Sequence, residues 1–192
     1  YANHYQEGDE HEPLFENGAV KLIPPIKAAW DATVEFGLLG ASYDYDEGGV
    51  QLPDVISKVA GGLIQAANSR SSGYYFVTNA ASNLIRTFGN DQQKSQFLAS
   101  MIDGRSTGTM ALTEPGQGST LADITTSAHL NEDSSYLIRG QKIYISNGDH
   151  GLSENIVHLV LARIEGAPSG TRGISLFIVP KFLVNTDGTT GA

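Results

Sequence analysis

Met110-Ala111-Leu112-Thr113-Glu114-Pro115-Gly116-Gln117-Gly118-Ser119 is the stretch on which the reading of this chain turns. It leaves an apolar strand, enters a Gly/Pro turn and ends in a hydroxyl. Farther along, Gly140-Gln141-Lys142-Ile143-Tyr144-Ile145-Ser146-Asn147-Gly148 echoes it. This second stretch reads as a strand that ends in an aromatic, a hydroxyl and an Asn-Gly turn. Together the two offer backbone amides and short hydroxyls at one sheet edge. That arrangement suits a planar, hydrogen-bonding group better than a metal or a nucleophile triad.

Upstream of this pair the hydrophobic period is helical. Pro25 to Phe36 sets Ile26, Trp30, Thr33 and Val34 at helical spacing, with Pro25 in the first turn and Gly37 at the stop. Leu52 to Asn68 repeats the scheme, with an apolar stripe of Val55, Val59, Leu63 and Ala66. Gly61-Gly62 weakens that helix and suggests close packing against another element. Tyr74 to Thr87 turns Val77, Ala80, Ala81, Leu84 and Ile85 inward, and Tyr74, Tyr75 and Phe76 read as helix-core packing. Asn90 or Asp91 caps a fourth helix that buries Phe97, Leu98, Met101 and Ile102 and ends at Gly104.

Beyond Gly104 the period shifts toward two. Strands are expected over 107–112, 124–130, 136–146, 157–164 and 174–180, separated by turn-rich pieces. Short strands at this spacing favour antiparallel pairing. The expected fold is therefore α+β and multidomain: an all-α domain over 1–105, then a small antiparallel β-barrel domain over 106–192.

Composition narrows the function. A hydrophobic share of 40% with 17% charged residues marks a core-forming chain of 192 residues. The net charge of -9 and scattered basic residues argue against a nucleic-acid surface. No cysteine is present, which removes disulfide and thiol chemistry. No apolar run is long enough for a membrane helix. The five histidines form no pair at metal-ligand spacing and read as ordinary surface or core residues. The acidic start lacks the features of a signal peptide, and both ends read as cuts within a longer protein.

The two opening segments resemble the flavin-binding signature of the acyl-CoA dehydrogenase family. Phe36-Gly37-Leu38-Leu39-Gly40 with Asp46-Glu47-Gly48-Gly49, and Phe88-Gly89-Asn90-Asp91-Gln92-Gln93-Lys94 before Gly104, also look like it. The segments Val157 to Arg163, Gly166 to Thr171 and Gly173 to Lys181 look most like a bacterial branch that includes methylmercaptopropionyl-CoA dehydrogenases. The resemblance implies FAD as cofactor, with Met110, Leu112 and Thr113 along the isoalloxazine and Gly118 allowing close backbone approach. It implies that Ser119 meets both the CoA thioester and the cofactor phosphates, and that Tyr144, Ile145 and Ser146 cover the flavin. Tyr144 stands where Trp is common and Ser146 where Thr is common, which preserves the aromatic face and the hydroxyl. Thr120 stands where Asp is common, so a contact specific to that carboxylate is not carried over.

The reaction so implied is α,β-dehydrogenation of an acyl-CoA, with the catalytic Glu in a C-terminal helical domain that this chain lacks; Glu114 is read as structural. The resemblance further implies an electron-transfer flavoprotein as acceptor and a homodimer or homotetramer without a membrane span. It places the protein in the bacterial cytoplasm, or in the mitochondrial matrix if eukaryotic. Flavin oxidases and monooxygenases of the same fold, and non-catalytic relatives, are the alternatives.

Overall fold

The computed structural model of the chain describes residues 1–191. A short helix α1 (Tyr5–Glu10) precedes a hairpin of β1 (Leu14–Glu16) and β2 (Ala19–Lys21). Asn17 and Gly18, at φ 54 and 78, supply the left-handed turn that matches hairpin twist. Four longer helices follow: α2 (Pro24–Glu35), α3 (Asp54–Ala67), α4 (Ser72–Phe88) and α5 (Asp91–Ile102). The prolines opening α2 occupy a turn whose N–H groups have no helical partner, so they cost nothing there. α5 begins with a reciprocal cap: Gln93 N donates to Asn90 Oδ1 at 2.8 Å, and Asn90 N to Gln93 Oε1 at 2.9 Å. Its buried face carries Phe97, Leu98, Met101 and Ile102, as the sequence predicts.

Two helical faces differ from expectation. The stripe on α3 points outward, with Val55 65%, Val59 57% and Leu63 68% exposed and Ala66 exposed as well. Amphipathic spacing identifies an apolar face but not what covers it. On α4, Ala81 and Ile85 are buried as expected, but Ala80 is exposed and Thr78 and Ser82 lie inside. Polar side chains with partners in reach shift that face: Thr78 Oγ1 accepts from Gly108 N at 3.0 Å, and Ser82 Oγ meets the Tyr43 hydroxyl at 2.8 Å.

The sheet comprises β3 (Ser106–Ala111), β4 (Ser127–Leu130), β5 (Tyr136–Arg139), β6 (Asn155–Ile164) and β7 (Ile174–Pro180). It is mixed rather than antiparallel. β6 pairs in parallel with β3 and with β4, and antiparallel with β7, while β4 pairs antiparallel with β5. The long connections 112–126 and 140–154 permit the parallel pairings, which tight hairpins could not. The strand expected over 136–146 stops at Arg139. Gly140 presses on Thr126, where a Cβ would lie 2.4 Å from its Oγ1, and Tyr144 takes a left-handed φ of 55 that no strand allows. Likewise 124–130 is strand only from Ser127.

One hydrophobic cluster joins the helices to the sheet through Ala81, Ile85, Phe97, Met101, Val157 and Leu159. A second joins α2 and α4 to the loop before β6 through Ile26, Trp30, Tyr74, Tyr75 and Leu152. No described helix is long and apolar enough to cross a membrane.

Helix and sheet approach closely at Gly108, where an added Cβ would sit 2.5 Å from Ala81 Cβ and 3.2 Å from the Thr78 Cα. Gly108→Val is therefore expected to lower unfolding free energy by about 2–3 kcal/mol. Gly62 on α3 has nothing within 4 Å of an added Cβ. Gly62→Ala is expected to raise stability by about 0.5–1 kcal/mol. Urea midpoints of the two variants should move in opposite directions; equal stabilities would refute the packing described.

Candidate functional site

At the end of β3 the chain turns over 114–117, with Glu114 N donating to Gln117 O at 2.9 Å and Gln117 N to Glu114 O at 3.1 Å. The Glu114 side chain points inward and is buried. Its Oε2 accepts from Thr125 N and Thr125 Oγ1, each at 2.7 Å. Its Oε1 accepts from Thr126 N at 2.9 Å, from Thr126 Oγ1 at 2.5 Å and from Lys142 Nζ at 2.9 Å. Burial pushes this carboxyl up, but the hydrogen bonds from Thr126, Thr125 and Lys142 outweigh it and hold it far below the usual carboxylate range. Lys142 also donates to Leu112 O at 3.0 Å.

The second segment lies against the first. Ile143 N donates to Thr113 O at 2.9 Å, so the two stretches singled out in the sequence meet at Thr113. Next in the chain, Tyr144 is 89% exposed with φ at 55. A bulky residue with positive φ is a genuine outlier in backbone space. Ile145 is half-buried, Ser146 is exposed, and Gly148 N closes the turn onto Ile145 O at 3.0 Å. Asn147 Nδ2 is buried without a hydrogen-bond partner. With Ile145 it lines a cavity of about 440 Å³ bounded by Ile23, Ile26, Arg70 and Tyr74.

The expected site residues are thus only partly gathered. Leu112 and Thr113 are half-buried beside the Lys142–Ile143 backbone, while Gly118 and Ser119 are exposed farther round the turn. Met110 is half-buried and packs against the cluster between α4, α5 and β6. Sequence reading singled out neither Lys142 nor the Thr125-Thr126 pair nor Asn147. The available signal was a single base in 140–148 facing a single acid in 110–119.

Beneath these loops β3 turns two hydroxyls inward. His150 Nδ1 accepts from Leu152 N at 3.2 Å, which leaves Nε2–H to donate to Thr107 Oγ1 at 3.1 Å. Thr109 Oγ1 lies 2.6 Å from His158 Nδ1. Burial pushes His150 down to about 4 and lowers His158 as well. Among the described residues, no three His, Asp or Glu side chains are grouped to hold a metal ion.

Two family models match the chain: the acyl-CoA dehydrogenase N-terminal domain over residues 9–105 and the acyl-CoA dehydrogenase middle domain over 109–190. The chain is 42% identical over 183 residues to 3-methylmercaptopropionyl-CoA dehydrogenase of Ruegeria pomeroyi, a match that covers 95% of this chain and 31% of that protein. It is 36% identical over 189 residues to the broad-specificity linear acyl-CoA dehydrogenase FadE5 of Mycobacterium tuberculosis, covering 97% and 31%. It thus spans less than a third of either relative. The crystal structure of acyl-CoA dehydrogenase from Geobacillus kaustophilus superposes with a TM-score of 0.74 at 27% identity, covering 94% of this chain and 43% of that one. A glutaryl-CoA dehydrogenase from Mycobacterium smegmatis in complex with FADH2 gives 0.65 at 25% identity, covering 80% and 37%.

His150 makes a measurable contribution to pH dependence. As pH falls from 7, the unfolded chain takes up this proton near the ordinary value of 6.5, and the folded chain only near 4. The unfolded state binds more protons across that window, so stability drops there by up to about 1.4 kcal/mol per pH unit and levels off below it. Urea midpoints measured between pH 7 and 4 are expected to fall less steeply in His150→Gln than in the parent. An unchanged slope would rule out a neutral, buried His150.

Proposed function

The chain belongs to the acyl-CoA dehydrogenase family, and we propose that its parent protein carries out FAD-dependent α,β-dehydrogenation of an acyl-CoA thioester. In this reading residues 1–105 form a helical domain and 106–192 a β domain of the parent. A C-terminal helical domain lies in the part of the parent beyond this chain.

The observation that carries the reading is the junction of the two loops. Ile143 N on Thr113 O holds them side by side, and the next residue offers an 89% exposed aromatic ring from a left-handed backbone. Such a backbone costs on the order of 1–3 kcal/mol. A planar partner that covers the ring gives this cost a purpose. Three further features fit FAD. Built Cβ atoms at Gly116 and Gly118 meet nothing within 4 Å, so the turn backbone is open to close approach. The Asn147 amide has a buried donor to give. Thr113, Ser119 and Ser146 add hydroxyls on the same two loops.

The chemistry that bound FAD supplies is acceptance of the substrate's β-hydrogen as hydride. Met110, Leu112 and Thr113 would hold the isoalloxazine, and the Thr113 hydroxyl would supply a hydrogen bond to it. Tyr144, Ile145 and Ser146 would cover the ring system, and Ser119 would meet the thioester and the cofactor phosphates. A thioester α-proton is far too weak an acid for a carboxylate in water, so the carbonyl must be polarised by hydrogen bonds where water is scarce. This chain contributes no catalytic base. Both Glu114 oxygens are already engaged by Thr125, Thr126 and Lys142. The α-proton goes to a carboxylate elsewhere in the parent. Electrons leave to an electron-transferring flavoprotein, from a homodimer or homotetramer in the bacterial cytoplasm or, in a eukaryote, the mitochondrial matrix.

Anaerobic visible spectra of the full-length parent, titrated with short, branched, long and thioether-containing acyl-CoA esters, test the proposal. The expected result is a yellow protein bleached by one ester class. Bound flavin that no ester bleaches would favour the oxidase, monooxygenase or non-catalytic relatives. No flavin after reconstitution with FAD would overturn the site assignment at Leu112 to Ser119 and Tyr144 to Ser146.

A further inference from the structure

We infer that Glu114 and Lys142 are a positioning pair that sets the separation of the two cofactor loops; the inference rests on the reading of those loops as the flavin site. The pair is enclosed, its side chains 3% and 10% exposed, with Nζ and Oε1 at 2.9 Å. Two charges withdrawn from water repay their desolvation only when good geometry and further hydrogen bonds satisfy them. Glu114 meets that condition through Thr125 and Thr126. Lys142 meets it by spanning the loops: its ammonium reaches the carbonyl of Leu112 at 3.0 Å as well as the Glu114 carboxylate.

The position of the pair gives it a role beyond general stability. Leu112, Thr113 and Glu114 on one loop are each joined to Lys142 or Ile143 on the other. The residues so clamped adjoin Thr113 and Tyr144, which the proposed function sets against the flavin. A lysine supplies this bridge well, because its compact ammonium directs several donors to oxygens that do not share a plane. Without the bridge, Ile143 N to Thr113 O is the one hydrogen bond left between the two loops among the described residues, beside the packing of Gly140 on Thr126.

The test uses the full-length parent and three variants: Lys142→Met, Glu114→Gln and Arg86→Met. The last breaks a different ion pair, Arg86 with Glu47 at 2.6 Å, which touches neither loop. Two quantities are read: the FAD dissociation constant by flavin fluorescence, and amide hydrogen exchange at Ile143 in the FAD-free protein. The expected result is at least a tenfold weaker hold on FAD and at least tenfold faster Ile143 exchange in Lys142→Met. Glu114→Gln should follow it, since its amide nitrogen turns a donor toward backbone N–H groups. Arg86→Met should lower the melting temperature while leaving both readings within about threefold of the parent.

Unchanged FAD affinity and Ile143 protection in Lys142→Met would overturn the positioning role and leave the flavin reading intact. So would loosening of FAD in Arg86→Met to the same degree, because the effect would then follow overall stability. A parent protein that takes up no FAD would overturn the flavin reading, and the positioning role with it.

Discussion

The pairing of β6 governs how everything else in the molecule meets. One of its edges carries β7; the other is shared by β3, from Asn155 to Val160, and by β4 at Arg163 and Ile164. Arg139, at the end of β5, lies opposite Ser127, and Ser127 lies opposite Arg163. The chain leaving β5 therefore starts beside the far end of β6 and must run back to Asn155 before β6 can begin. Ala111, the last residue of β3, sits opposite Val160 on that return path. Residues 140–154 cross the end of β3, and Ile143 meets Thr113 there. Parallel pairing of β3 and β6 thus brings two segments distant in sequence to one place.

The buried acid at that crossing illustrates how polar groups stabilise a loop site. An unpaired carboxylate in this position would be prohibitive, and a protonated one would lack the donors' full strength. Backbone and hydroxyl donors from Thr125 and Thr126, together with the Lys142 ammonium, keep Glu114 ionised and leave it unavailable for proton transfer. The carboxylate read as structural in the sequence is a structural anion in three dimensions. Nearby, the positive φ of Tyr144 and the unpaired amide of Asn147 are unfavourable in the chain by itself. Local conflicts of this kind gather where a fold serves binding rather than its own stability.

Much of the candidate site was legible as a pattern. Leu112 to Ser119 and Tyr144 to Ser146 stood out because a strand running into a Gly/Pro turn with hydroxyls is a local feature of the chain. The Lys142 bridge was hidden, because a lone lysine in a neutral strand-like stretch normally faces solvent. Its acceptor, the Leu112 carbonyl, carries no sequence signature at all. Met110 was legible as part of the motif, yet its contacts with the helical cluster depend on how α4 and α5 sit on β3.

The sequence by itself determined the four longer helices, with ends within about two residues, but not α1 or the β1–β2 hairpin, which interrupts the stretch expected to be all-α. The Asn90–Gln93 cap, the prolines of α2 and the buried face of α5 all rest on interactions within a few residues, so they can be read from the chain. It likewise determined where β7 runs, from Ile174 to Pro180. Strand direction, the early end of β5, the outward face of α3 and the junction of the two loops were decided only by the tertiary structure. Each depends on which distant backbone is present to accept a hydrogen bond or cover an apolar face. Residue periodicity records that a face or an edge exists and carries no information about what it meets.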